Sequence, residues 1–151
     1  MMVMAEITIE KEFYENGQVK EEIPVDENDL IQGVVRSFNE DGSLDTEVPF
    51  KDNIITGLVK WYQDGKLYAT AEHINNQKEG LLTVYKGEMI LEEVTYHNNL
   101  KDGIARYYDE TDGELHYEIT FEGGKAISGK EYAQDGNSAD LTAEELLDFE
   151  D

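Results

Sequence analysis

Cysteine is absent from the 151-residue chain, so disulfide frameworks, thiolate zinc sites and thiol nucleophiles are excluded, and the composition fits a reducing compartment. Basic side chains are scarce: 12 Lys and Arg stand against 35 Asp and Glu, a formal charge of −23. A field of that sign repels DNA, RNA and anionic lipid headgroups, whose binding needs Lys or Arg, so direct binding of nucleic acid or an anionic membrane is not expected. A basic protein is the expected partner. The same charge would also keep an extended sheet soluble and discourage edge-to-edge pairing. No apolar run approaches the roughly 20 residues of a membrane span. Met1 to Glu6 lacks the pattern of a signal peptide, with no basic residue before Lys11. These features together predict a soluble, cytoplasmic protein. Proline occurs twice, against 13 glycines and 9 tyrosines, a balance that favours strands and turns.

A period is visible in what is present. Gly33, Gly57, Gly80 and Gly103 are spaced by 24, 23 and 23 positions, and each is followed five residues later by Phe38, Tyr62, Tyr85 or Tyr108. Between them Val34, Leu58, Leu81 and Ile104, then Arg36, Lys60, Thr83 and Arg106, share one strand face with these aromatics. The other face takes Val35, Val59, Leu82 and Ala105, then Ser37, Trp61, Val84 and Tyr107. A glycine-containing turn follows each aromatic, as in Glu15-Asn16-Gly17 and Gln63-Asp64-Gly65, the signature of a tight hairpin. A return strand then aligns Val19, Leu44, Leu67, Ile90 and Leu115.

The chain therefore reads as all-β: about five tandem antiparallel β-hairpin repeats near 7–32, 33–56, 57–79, 80–102 and 103–128, with a partial unit at 129–136 and an acidic tail at 137–151. The first repeat has Ile9 where the others have glycine, which suits an end cap. In the tail, Thr142 and Glu145 form a capping-box pattern, and Leu141, Leu146, Leu147 and Phe149 an apolar stripe, predicting a short helix from Ala143 to about Phe149.

Catalytic patterns do not emerge. The glycines read as turn glycines, and no phosphate-cradling loop is present. Ser37, Ser43, Ser128 and Ser138 lie in no nucleophile elbow, and His73, His97 and His116 fall at different positions of successive repeats. A calcium loop around Gly42 fails because Val48 occupies the place of its final glutamate. No enzyme activity, cofactor or metal is expected.

The unit read as glycine, alternating strand, tyrosine, turn glycine, second strand and polar loop resembles the MORN repeat variant; Gly57 to Leu67 carries the pattern most fully and Gly103 to Leu115 next. Chains built only of this unit are similar to the bacterial family of YwqK-type antitoxins. The resemblance implies hairpins side by side in an elongated, twisted single sheet with stacked aromatics. It also implies scaffolding, dimerisation or membrane-proximal tethering as possible roles. A lipid-kinase name, which such repeats carry beside some phosphatidylinositol-phosphate kinase domains, finds no support in these residues.

Surface is what remains for function. Phe38, Trp61, Tyr62, Tyr85, Tyr107 and Tyr108 form aromatic stripes, bordered by acids such as Glu21 and Glu92. They are the expected partner-binding residues if exposed, and the stacking core of a one-layer sheet if not. Two functions follow: capture of a basic protein, as the antitoxin resemblance implies, or self-association as a structural rod or homodimer.

Overall fold

A computed structural model describes residues 6–151; the signal-peptide expectation bears on Met1 to Ala5, outside the described residues. The strands are β1 (Thr8–Phe13), β2 (Val19–Val25), β3 (Gly33–Phe38), β4 (Leu44–Lys51), the two-residue β5 (Ile54–Ile55), β6 (Gly57–Gln63), β7 (Lys66–Ile74), β8 (Gln77–Lys86), β9 (Met89–His97), β10 (Leu100–Tyr108), β11 (Leu115–Glu122), β12 (Lys125–Tyr132) and β13 (Ser138–Asp140). They form one open antiparallel sheet in chain order, with β5 pairing beside β4. The helix α1 (Ala143–Leu146) and a 3₁₀ turn (Leu147–Phe149) follow. The capping box forms as predicted: Glu145 N–H donates to the Thr142 hydroxyl, and Thr142 N–H to the Glu145 carboxylate.

Two details differ from the sequence reading. The last unit is a complete hairpin, because the turn at Asp135-Gly136 brings Ser138 to Asp140 back against β12, and the tail starts only after Asp140. The repeat glycines are also not turn glycines. Gly80 and Gly103 lie inside strands with φ of 106° and 101°, where pairing with the preceding hairpin slips. Between the pairs Tyr96–Lys101 and Val94–Ala105, Thr95 alone faces three residues, Asp102 to Ile104. A slip of two residues keeps every side chain on its own face. The turns linking one hairpin to the next carry a further device. Asn53, Asn76 and Asn99, all at left-handed φ, each donate their N–H to a carbonyl of the preceding unit and accept that same residue's N–H on the side-chain oxygen. The partners are Ile31, Ile55 and Lys78. Each asparagine thus imitates one residue of a β-ladder.

The two faces are unlike. On one, a single register line runs through twelve strands: Lys11, Glu22, Arg36, Glu47, Lys60, Thr70, Thr83, Glu93, Arg106, Glu118, Lys130 and Asp140 are successive partners. Opposite charges alternate along it except at the buried Thr70–Thr83 centre. Ion pairs close at Arg36–Glu47 (3.0 Å) and Arg106–Glu118 (3.2 Å). On the other face a row of short side chains is buried, including Val35, Val59, Ala71, Val94, Ala105 and Ile119. Taller side chains flank parts of this row, Trp61 and His73 about Val59–Ala71 and Tyr96, Tyr107 and Tyr117 about Val94, Ala105 and Ile119, and there the face forms a trough. Its far end holds the core cluster of Val94, Ala105, Ile119, Phe121 and Leu146, the last contributed by α1.

Candidate functional site

The eight residues expected to bind a partner divide between the two faces. Phe38, Tyr62, Tyr85 and Tyr108 stand on the charge-ladder face, half-buried. There the Tyr62 hydroxyl donates to Glu47, and the Tyr108 hydroxyl to Glu93 at 2.5 Å. Burial and the adjacent carboxylate push both phenols up to about 12. Glu47 is in turn held below the usual carboxylate range by the Tyr62 hydroxyl and by Arg36. Tyr62 and Tyr108 thus tie their hairpins to the ones before them.

Trp61, Tyr107, Glu21 and Glu92 belong to the trough face, where strand register sets Trp61 opposite Ala69 and Tyr107 opposite Glu92 and Tyr117. Trp61 and His73 meet at 6.4 Å between ring centroids, a contact that covers the Val59–Ala71 pair beneath them. Farther along, Phe149 takes the covering role, 5.3 Å from Tyr107 and 5.1 Å from Tyr117. Burial and the carboxylate of Glu92 raise the Tyr107 phenol far above its ordinary value. Glu21 and Glu92 are half-buried on the trough face. A cleft of about 350 Å³ opens where the covered section ends. It is lined by Leu82, Glu92, Tyr96, Tyr107 and Lys101 on the sheet and by Asp148 to Asp151 from the tail.

His73, Tyr96, Tyr117, Lys101 and Phe149 join the trough although sequence reasoning did not select them. The period-of-two pattern on the return strands could have found the first three. Lys101 and Phe149 are brought together only by the folding back of the tail. The histidines do not converge: His97 Nδ1 lies 2.9 Å from Glu79, and His116 Nε2 3.6 Å from Glu131, in separate hairpins. Among the described residues no three His, Asp or Glu side chains form a metal-ligand group, and no helix is long and apolar enough to cross a membrane.

Residues 8–27 and 31–52 match the MORN repeat variant. The matched segments are the first two hairpins, including the one with Ile9 in place of glycine, and not the Gly57 unit, whose sequence carries the pattern most fully. The later hairpins repeat the strand pairing and internal bulge of these two: Phe13, Phe38, Tyr62, Tyr85 and Tyr108 each sit at a one-residue register shift. MORN repeats are non-catalytic modules that commonly bind proteins. No curated protein matches the chain, and no solved structure does.

Proposed function

We propose that this protein is a non-catalytic binder that captures a basic protein in the trough, in the manner of an antitoxin or immunity protein. The observation that carries this reading is the union of an apolar, aromatic-walled trough with acids on its flank, Glu21 and Glu92, in a chain of charge −23. Aromatic anchors in a partly desolvated groove supply affinity, and the acidic field supplies encounter rate and choice of partner. The reading places the protein in the cytoplasm and assigns it no lipid-kinase activity. Affinity capture of basic proteins from the native cell at low and high salt tests it. A salt-sensitive complex lost in Trp61→Ala is expected; absence of any such complex at either salt overturns the reading.

A second reading, self-association, is favoured by one feature: β1 is an edge strand with Ile9 and Phe13 50% and 58% exposed. Light scattering over a range of concentrations decides it, since a strict monomer removes it.

A further inference from the structure

We propose that the C-terminal segment Leu141–Asp151 is a displaceable lid, occupying the far end of the trough and competing with the basic partner for Tyr107 and Glu92. This rests on the trough being the binding surface. Its occupancy is direct. Leu146 is buried in the cluster with Ala105 and Ile119, and Phe149 packs against Tyr107 and Tyr117. The seat is prepared by Gly129: any side chain there would meet Ile119 at 2.6 Å and Leu146 at 3.1 Å.

The hold is nevertheless slight and electrostatically opposed. One helical turn of four residues and a 3₁₀ turn have little stability of their own. The segment carries Glu144, Glu145, Asp148, Glu150 and Asp151 with no basic residue, and it lies on a strongly negative protein. Among the described residues one cation tethers it: Lys101 Nζ donates to the Phe149 carbonyl at 3.0 Å and reaches Asp151 at 3.1 Å. Ala126 N–H adds a bond to the Glu150 carboxylate. The cleft beside Glu92 lies where the uncovered trough meets the lid, so a cationic helix advancing along the trough reaches the lid's acidic end first. Occupied by the lid, the trough binds with affinity reduced by the fraction of open molecules.

The test uses the full chain and a leucine–lysine peptide with its leucines on one helical face as probe. Peptide affinity is measured for the wild type, Phe149→Ala and the charge-neutral Leu141→Ala, with amide exchange followed at Ala126 and Leu146. Peptide binding should speed exchange at both amides, and both variants should bind about threefold tighter or more. Equal affinity for all three proteins, with the two amides still protected in the complex, overturns the lid while leaving the trough as the binding surface. Failure of the peptide to bind any of the three overturns the trough reading, and the lid with it.

Discussion

Tyr62 and Tyr85 hold the same place in successive hairpins but meet different groups across the sheet. Tyr62 faces Glu47; the equivalent position for Tyr85 is Thr70. The glutamate is held below its ordinary value of 4.5, so its contribution to stability is complete above that pH and is lost as the pH falls through the lower folded value. The phenol is raised from 10.0 to about 12, so its contribution is complete below pH 10.0 and is lost as the pH rises through about 12. Tyr62→Phe should cost about 1–2 kcal/mol in urea unfolding at neutral pH and shrink the loss in both windows. Tyr85→Phe should stay within about 0.5 kcal/mol of the wild type. Gly129 tests space alone, since its backbone is not in the left-handed region. Gly129→Ala should cost about 1–3 kcal/mol through overpacking against Ile119 and Leu146, read as a lowered Tm.

Between one hairpin and the next, the asparagine staple decides the spacing. Asn76 has φ of 68° and exchanges two hydrogen bonds with the backbone of Ile55. Asn76→Gly keeps the turn but loses the side-chain acceptor, leaving the Ile55 N–H to solvent. Asn76→Ala adds the strain of a left-handed alanine, about 1 kcal/mol more than the glycine variant. The ordering wild type, glycine, alanine in denaturant midpoint is the expected result, and equal midpoints for the two variants would show that the backbone there relaxes. In the last linking turn Gly124 occupies the corresponding place and donates its N–H to Lys101, without a side chain to return the bond.

Across the whole molecule, stability should be graded. The core cluster is confined to β9 through β11 and α1, while β1 is exposed at every position. In a repeat array each unit leans on its neighbours, so amide exchange should be slowest in β10 and β11 and fastest in β1 and β13. Salt should stabilise the fold. Exposed ion pairs such as Arg106–Glu118 contribute about 0–1 kcal/mol each, and weakening them matters less than screening the repulsion of a −23 chain. Raising ionic strength from about 0.01 to 0.15 M shortens the screening length from about 30 to 8 Å and should raise Tm.

The hairpin array, the two faces of its strands and the capped C-terminal turn were legible in the sequence by itself. Alternation, turn glycines and capping are local, and within an antiparallel repeat each strand's partner is the next strand in the chain. What lay beyond it was anything depending on residues far apart. Alternation already put Trp61 and Tyr107 on the face opposite Tyr62 and Tyr108, but it did not say what each face meets. Only the register showed that Tyr62 and Tyr108 bind glutamates fifteen residues earlier, while Trp61 and Tyr107 wall the trough. Bulge glycines and turn glycines look alike in sequence, because both need positive φ, and pairing alone separates them. The C-terminal helix was expected as a cover over the open end of the sheet, but not the residues that seat it: Leu146 meets a bare Gly129, and Lys101 donates to the carbonyl of Phe149, 48 residues on.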